Sequence, residues 1–275
     1  MDMGRQKDPT DGSEDAVYLD PLSGVYIVAD GIGGHLGADE ASILAVEIVG
    51  ERLSSARKRG NHDYFHQILQ EACNEANDAV YQKGREPNTL DMGTTLTAGM
   101  FRGHHLYIAH VGDSRIYSLN HNGMLVQLTT DHTPVQRAYD GHFITYAELF
   151  DTEGTTLLNN HVGKSSVIDP DILHYHASDI EKLLFTSDGL VPRVHDSEIL
   201  AVLERDTPPQ DIADALVELA NYPQIAAAVV SELTQGESNY YDEKLTIDEA
   251  RELIGGGDHL SVMVLDLGGS NDRSR

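Results

Sequence analysis

The feature that most constrains the fold is a set of short apolar segments with almost no polar interruption. They are rich in β-branched residues and too short for helices, so they predict strands. A strand with one wet face would alternate apolar and polar residues, whereas unbroken runs are typical of strands covered on both faces. These segments are residues 25–29, 96–101, 106–111, 182–185 and 260–265.

Two longer segments repeat apolar residues with the three-and-four spacing of an amphipathic helix. The clearer one covers residues 62–83 and ends before Gly84, a common helix stop. We expect a second helix over residues 38–57, and a hairpin of the two helices joined around Gly60. The apolar residues that we expect the second helix to turn inward are Ile43, Ala45, Ile48, Val49 and Leu53.

Shorter helices are predicted at residues 197–204, 209–220 and 246–253, whereas residues 131–170 show no regular pattern. The order of strands, two long helices and more strands excludes a regular alternation of strands and helices. Because every sheet and helix must bury an apolar face, helix layers on both sides of antiparallel sheets satisfy this order. The predicted class is α+β, and the length of 275 residues fits a single domain over residues 1–275.

The charge balance is strongly acidic, with 19 Lys and Arg against 45 Asp and Glu and a formal net charge of -26. Such a chain repels nucleic-acid backbones and anionic lipid surfaces, so neither is an expected partner. Acidity that serves only solubility explains the charge equally well. Cys73 is the single cysteine, which excludes an internal disulfide and a zinc site built on several thiolates. With a polar start and no long apolar run, the chain is expected to be cytoplasmic.

Carboxylates beside glycines follow three of the predicted strands, in the pairs Asp30-Gly31, Gly112-Asp113 and Asp188-Gly189, and Gly257-Asp258 precedes the last strand. Each pair taken alone is also an ordinary turn dipeptide. If the four acids converge at one sheet edge, they repel each other unless they are protonated or bridged by cations. Oxygen ligands of this kind suit Mg²⁺ or Mn²⁺, so the joint pattern predicts a carboxylate-bridged metal pair.

The motifs around these aspartates resemble those of a known family, the type 2C (PPM-type) serine/threonine protein phosphatases in their bacterial form. The resemblance spans the chain in six ordered motifs: Asp30-Gly31-Ile32-Gly33-Gly34-His35, Gly93-Thr94-Thr95, His110-Val111-Gly112-Asp113-Ser114-Arg115, Leu128-Thr129-x-Asp131-His132, Thr186-Ser187-Asp188-Gly189 and Asp258-x-x-Ser261-Val262. It implies a four-layer sandwich of two central antiparallel sheets flanked by helix layers. It also implies hydrolysis of phosphoserine and phosphothreonine on proteins, with two Mn²⁺ or Mg²⁺ ions activating water. The implied partners are phosphorylated proteins and a cognate Ser/Thr kinase, and the chain is expected to be a monomer.

The resemblance also assigns roles to individual residues. Asp30 is expected to bridge both metals and the Gly31 carbonyl to bind one of them, while Asp188 and Asp258 bind the other. Asp113 resembles the family's ligand for a third, weaker metal. Two further positions are expected to act around these ligands: Glu14 with Asp15 as the pair that holds metal-bound waters, and Arg5 as the grip on the substrate phosphate.

Some positions depart from the family's pattern. Ile32 stands where many eukaryotic members have a histidine that acts as general acid, which leaves the proton donor unassigned. His35 and His132 are alternatives, although a histidine between glycines also suits a helix cap. His259 replaces the usual asparagine after the last aspartate, which could alter metal affinity.

The other departures concern spacing. Arg5 lies further from Glu14 than the family's arginine, and Lys7 is the fallback for its role. Residues 221–257 are longer than the bacterial pattern and form an expected insertion, and residues 131–170 are the expected variable flap beside the site. Both segments are candidates for determining substrate choice.

Four other interpretations were weighed. A dinucleotide site after residues 25–29 is opposed by Gly37, one place late for the fingerprint, and by the charge of Asp30. His62 and His66 have helical metal-binding spacing, but the zinc-protease glutamate is missing, so a solvated helix face is favoured. Ser114 lacks the nucleophile elbow of serine hydrolases. The remaining rival is a catalytically weak, phosphatase-like binding module.

Overall fold

The computed structural model describes residues 2–7 by their backbone, and residues 14–32, 37–87, 89, 91–145, 148–149, 157–191, 193–221 and 260–267 in full. The helices are α1 (Ala38–Ser54), α2 (His62–Lys83), α3 (Pro134–Asp140), α4 (Asp196–Leu203) and α5 (Pro209–Asn221). The first strands are β1 (Asp2–Lys7), β2 (Ala16–Asp20), β3 (Val25–Ala29), β4 (Gly31–Ile32), β5 (Gly93–Thr94) and β6 (Leu96–Arg102). The later strands are β7 (His105–Val111), β8 (Arg115–Asn120), β9 (Leu125–Gln127), β10 (Asp171–His176), β11 (Ile180–Thr186) and β12 (Ser261–Asp266).

The strands form two five-stranded sheets and one short two-stranded ribbon. The first sheet has the order β10-β7-β6-β3-β2, the second has the order β1-β12-β11-β8-β9, and β4 pairs with β5 in the ribbon. Every strand pair among the described residues is antiparallel. Most of the strand residues in the middle of both sheets are buried, as the unbroken apolar runs predict.

Three apolar clusters divide the molecule into layers. Helices α1 and α2 pack on the outer face of the first sheet, for example Leu69 in a cluster with Ala98. Tyr26 and Phe185 belong to the cluster between the two sheets. Helices α4 and α5 cover the outer face of the second sheet with a third cluster. The order is therefore helices, sheet, sheet, helices, which confirms the predicted α+β four-layer sandwich.

The two sheets approach closely at a glycine. Gly99 of β6 faces the ring of Phe185 on β11, and a Cβ at position 99 would lie only 2.7 Å from the Cζ of that ring. A larger residue would therefore have to separate the sheets or displace the ring.

In the helix hairpin, the second helix matches the prediction from the sequence, whereas the first helix differs from it in detail. Helix α2 has the predicted bounds and begins at Asn61, whose side chain accepts a hydrogen bond from the Tyr64 N–H at 3.0 Å. The two helices are antiparallel, because Lys83 at the end of α2 pairs with Glu40 at the start of α1. The expectation that Ile43 points inward is wrong, since its side chain is 48% exposed. Small residues on α1 allow a closer approach to the sheet, and they shift the buried stripe away from that position.

The remaining predicted elements are found with bounds shifted by one or two residues at most ends. Helix α1 ends at Ser54, three residues before the predicted end. Residues 131–170 are not irregular throughout, because α3 forms there behind the capping side chain of Thr133, which accepts from the Gln136 N–H at 3.1 Å. The predicted helix at 246–253 lies outside the described residues. No helix in the described part of the chain is both long and apolar enough to cross a membrane.

Candidate metal centre

Asp30 is held by its backbone at the junction of β3 and β4. Its N–H donates to the Thr95 hydroxyl at 2.9 Å, and its carbonyl accepts from the Thr94 hydroxyl and the Thr95 N–H, both at 2.8 Å. The Thr95 hydroxyl also lies 2.7 Å from that of Ser114. The threonines therefore tie the strand end that carries Asp30 to the one that carries Asp113.

Gly31 occupies a position where no side chain fits. A Cβ there would lie 2.2 Å from the carbonyl oxygen of Ala38 and 2.9 Å from that of Glu14. The Gly31 N–H donates to the same Glu14 carbonyl at 3.2 Å, which also accepts from the Ser42 hydroxyl. The start of α1 is thus packed directly against the backbone that follows Asp30, which explains why glycine stands there.

Four aspartates from distant segments converge at this end of the sheets. Burial raises the pKa of Asp30 well above its ordinary value, and the charges of Asp15, Asp188 and Asp113 raise it further. The hydrogen-bonding contact with the Asp188 side chain raises the pKa of Asp30 in the same direction. Burial likewise raises the pKa of Asp113 to about 8, with the charges of Asp188 and Asp131 adding to the effect.

This donor set fits divalent cations. Buried carboxylates that repel each other are stabilised either by protons or by positive charge brought between them. Ligands that are all oxygen suit Mg²⁺ and Mn²⁺, and the structure places such ligands together in the four aspartates. The prediction that the aspartates after β3, β7 and β11 meet in one place therefore agrees with the structure.

Asp15 lies deep in the site and connects it to the last strand. It is 1% exposed, and its carboxylate accepts from the Ser187 hydroxyl at 2.8 Å. That hydroxyl in turn accepts from the Ser261 N–H at 2.9 Å. The first residue of β12 is thus adjacent to the acidic cluster. Asp258 and His259, just upstream, lie outside the described residues, and so does His35.

The structure describes the two basic candidates for phosphate binding only by their place in β1. Arg5 pairs with Met263, and Lys7 pairs with Ser261. Because Ser261 is linked through Ser187 to Asp15, the strand register places Lys7 nearer to the acidic cluster. Arg5 is two residues further along, about 7 Å at the rise of a strand.

A buried ion pair beside the site was not assigned by sequence reasoning, although both of its members stand in the quoted motifs. The Nε of Arg115 donates to both carboxylate oxygens of Asp131 at 2.8 and 3.0 Å, and its Nη2 donates to one of them at 2.6 Å. The carboxylate also accepts from Gln127 at 3.1 Å. The pair joins the start of β8 to the loop after β9, and its charges act on Asp113. The signal available in the sequence was the presence of opposite charges in two adjacent motifs.

His132, one of the alternatives for proton donor, packs against the turn that carries Asp113. Its backbone N–H donates to the Gly112 carbonyl at 2.8 Å, and its ring Nδ1 accepts from the Gly112 N–H at 3.3 Å. Its Nε2 lies 3.3 Å from the Asp171 carboxylate. Gly112 has a φ of 112°, so the turn needs glycine there. His132 therefore braces the backbone beside a candidate ligand.

Comparison with known proteins places this arrangement in a family. A family model described as protein phosphatase 2C matches residues 11–224. The serine/threonine phosphatase stp of Listeria monocytogenes serotype 4b is 30% identical over 198 residues, which are 72% of this chain and 78% of that protein. The serine/threonine protein phosphatase PstP of Mycobacterium tuberculosis is 34% identical over 209 residues, 76% of this chain and 39% of that protein.

Solved structures agree over nearly the whole chain. The crystal structure of the M. tuberculosis phosphatase PstP/Ppp superimposes with a TM-score of 0.76 at 28% identity, covering 97% of this chain and 98% of that one. The catalytic domain of PstP in complex with two manganese ions gives a TM-score of 0.72 at 28% identity, with 96% of each chain covered. The chain therefore belongs to the protein phosphatase 2C family and is a protein phosphatase, as its sequence motifs predict.

Proposed function

We propose that this chain hydrolyses phosphoserine and phosphothreonine on proteins with the help of two Mn²⁺ or Mg²⁺ ions. The observation that carries the proposal is that four carboxylates, from Asp15, Asp30, Asp113 and Asp188, come together at one end of the two sheets, linked by the hydrogen bonds of Ser187 and Thr95. When bound, divalent cations supply the positive charge that activates water and neutralises the phosphoryl group. The PstP catalytic domain, a relative of this chain, was solved with two manganese ions.

The proposed ligands are Asp30, the Gly31 carbonyl, Asp188 and Asp258, with Asp113 for a third, weaker ion. Two observations support the assignments of Asp30 and of the Gly31 carbonyl. The Asp30 backbone is fixed by Thr94 and Thr95, and the packing at position 31 permits only glycine. The side chain and the carbonyl are therefore presented from a rigid turn, which lets carboxylates from other strands meet it at a fixed geometry.

Around these ligands we assign Glu14 and Asp15 to holding the waters of the metal site. The hydrogen bond from Ser187 fixes Asp15 next to Asp188. The Glu14 carbonyl accepts from the Gly31 N–H, so this half-buried residue lies beside the same turn. Acceptors in these places orient water and keep its protons directed toward the carboxylates.

For the substrate phosphate we propose a cation on β1. Arg5 is the residue that the family resemblance assigns, and a guanidinium gives a bidentate grip on phosphate. The strand register supports testing Lys7 beside it. If Arg5 holds the phosphate, Arg5→Ala raises KM for a phosphopeptide while Lys7→Ala has little effect, and the reverse result transfers the role to Lys7.

The decisive experiment is turnover of a phosphothreonine peptide and of a chromogenic phosphate ester by the purified chain with Mn²⁺, with Mg²⁺ and with chelator. We expect metal-dependent turnover that falls by at least about a hundredfold in Asp30→Asn, because removal of one electrostatic group from a hydrolytic site typically costs that much. Asp78→Asn, an exposed acid on α2, is the matched control and keeps full activity. A folded wild-type chain that binds metal and phosphopeptide without turnover would support the binding-module alternative.

We further propose that residues 1–275 form one domain, with residues 131–170 as a flap beside the site and 221–257 as an insertion. The described part of the flap supports this position, since Asn159 donates to the His132 carbonyl at 2.7 Å and Val162 bridges to Thr94. Exchange of the flap with that of a relative is expected to change the preference among phosphopeptides and leave the chromogenic ester unaffected.

The proposed setting is a cytoplasmic monomer that acts on proteins phosphorylated by a cognate Ser/Thr kinase. The single cysteine, Cys73, is buried and free, which suits a reducing compartment. Light scattering of the purified chain tests the monomer, and fractionation of the source cells tests the compartment. Incubation with substrates of kinases from the same organism tests the kinase assignment.

A further inference from the structure

A cluster of histidines lies at the far end of the first sheet from the aspartates. The histidine triad consists of His62 on α2, His105 on β7 and His174 on β10, and one ring nitrogen from each lies within 4.8 Å of the others. β7 runs from His105 to Val111 before it reaches Gly112 and Asp113. At the rise of an antiparallel strand this separates the triad from the acidic centre by about 20 Å. The two sites are therefore distinct.

The triad follows from the sheet register and from the position of α2. In the pairing of β7 with β10, Tyr107 stands opposite His174, and His105 stands opposite His176. Directly opposed residues and residues two apart share a face, so these side chains line one face of the sheet at its edge. His62, the first residue of α2, approaches the same face, with its ring centroid 4.3 Å from that of His174 and 5.1 Å from that of His105.

Hydrogen bonds already orient the rings. The Tyr107 hydroxyl lies 2.6 Å from His62 Nδ1, which leaves His62 Nε2 for a ligand. His174 Nε2 and His105 Nδ1 lie 2.9 Å apart and share a hydrogen. A bound cation would replace that hydrogen bond once the proton of the donating ring moves to the other nitrogen of that ring, which leaves a lone pair on both His174 Nε2 and His105 Nδ1. Tyr107 is buried, so it fixes the ring of His62 from behind as an outer-shell partner does in metal sites.

The surroundings suit a cation. An open cleft of about 350 Å³ borders the triad, and His66 and Asp63 also line it. Partial burial and the neighbouring imidazoles lower the pKa of His105 and the pKa of His174, which favours the uncharged form of both rings. Uncharged imidazole is the form that binds metal.

We propose that the histidine triad is a second metal site, which takes a borderline transition-metal ion, Zn²⁺ in particular, and cross-links α2 to the edge strand β10. Imidazole ligands select Zn²⁺ and its neighbours, whereas the carboxylate centre selects Mg²⁺ or Mn²⁺. A tetrahedral zinc ion with Zn–N bonds of about 2.0–2.1 Å needs nitrogens roughly 3.4 Å apart. The nitrogens of the triad already lie within 4.8 Å of one another, and three protein ligands leave a fourth position for water.

The site differs from the helical pair that the sequence presents. His62 and His66 on α2 have the spacing of a helical metal-binding pair. The structure instead groups His62 with histidines on two strands, His105 and His174. His66 lies on the border of the cleft, outside the set. An exposed pair on one helix supplies two ligands, whereas the triad supplies three from three elements.

The test is zinc binding to the full, tag-free chain in excess Mg²⁺, which keeps the carboxylate centre occupied. Calorimetry is expected to show one Zn²⁺ per chain, with the affinity falling by at least about 10–100-fold in His105→Ala and in His174→Ala, since even loss of an outer-shell partner costs that much. The matched control is His121→Ala, an exposed histidine at the end of β8 that leaves binding unchanged. Zinc at about 100 times its Kd is expected to raise the melting temperature of the wild type by roughly 5–10 °C and that of His174→Ala by much less.

A second measurement needs no variant. Co²⁺ in place of Zn²⁺ is expected to show the strong visible absorption of a tetrahedral site with nitrogen ligands, while Co²⁺ in an oxygen-ligated octahedral site absorbs weakly. No zinc binding in excess Mg²⁺, weak octahedral cobalt bands, or equal binding by the wild type and a folded His174→Ala variant would each overturn the proposal. The phosphatase assay is independent of these readouts, so failure here leaves the catalytic assignment standing.

Discussion

Removal of one partner from the buried ion pair between Arg115 and Asp131 is expected to destabilise the chain strongly. Both side chains are about nine-tenths buried, at 9% and 10% exposure. Three of the guanidinium hydrogen bonds go to the carboxylate, and a fourth goes to the Tyr117 hydroxyl at 2.8 Å. Arg115→Met removes the cation with little change in volume, and it leaves an uncompensated carboxylate in the interior.

The expected loss in the free energy of unfolding depends on which groups still contact the Asp131 carboxylate in Arg115→Met. Removal of one partner from a buried pair costs about 3–5 kcal/mol. Asp131 keeps the hydrogen bond from Gln127 at 3.1 Å, so the loss should lie near the lower end, about 3 kcal/mol. That is a large part of a total stability of about 5–15 kcal/mol, and it corresponds to a fall in melting temperature of roughly 6–12 °C.

The chain offers a matched control for this substitution. Arg52 and Glu71 also form a close pair, at 2.9 Å, but their side chains are 43% and 42% exposed. Solvent screens such a pair, so Arg52→Met is expected to cost less than about 1 kcal/mol. Urea unfolding of both variants, with the metal concentration held constant, measures the difference.

The double variant Arg115→Met/Asp131→Asn completes the test. Removal of the stranded charge should restore part of the stability, because an amide costs much less to bury than an unpaired carboxylate. The reasoning is refuted if Arg115→Met costs no more than Arg52→Met, or if the double variant is as unstable as the sum of the two single variants.

Two further predictions concern the sheets. His110 is fully buried between Thr97 and the Thr130 carbonyl, and burial lowers its pKa to about 3. Below the unfolded pKa of about 6.5 the unfolded chain binds a proton that the folded chain does not, so stability falls as the pH falls. This histidine alone should lower the free energy of unfolding by about 2 kcal/mol between pH 7 and pH 5. Urea unfolding against pH should show a shallower acid loss in His110→Gln than in the wild type, and an unchanged slope would contradict the assignment. Gly99→Ala should destabilise the chain by about 1–3 kcal/mol, because its Cβ meets the Phe185 ring. Thermal unfolding should show partial recovery in Gly99→Ala/Phe185→Leu, and no recovery would mean that the strain lies elsewhere.

The family and the fold class could be predicted from the sequence, and candidate ligands could be proposed from it, because their signals are local. Asp30-Gly31 and Asp188-Gly189 follow apolar runs directly, and a strand end fixes the position of the residue that follows it. The bounds of α2 were predicted because its apolar spacing and its Asn61 start lie within one segment. Five strands of the two large sheets, β1, β2, β8, β9 and β10, were missed, because shorter or mixed runs lack the unbroken apolar signal of the predicted strands.

Relations between distant segments could be decided only by the tertiary structure. The exposure of Ile43 depends on which face of α1 meets the sheet. The pairing of Arg115 with Asp131 depends on the loop after β9. The histidine triad depends on the register between two strands and on a helix that begins above them. The sequence by itself determined which residues are ionisable and where the apolar central strands and the two long helices lie, since these are properties of neighbours along the chain. Only the packed structure decided which of those charges meet, because contacts between layers form when apolar faces are buried together.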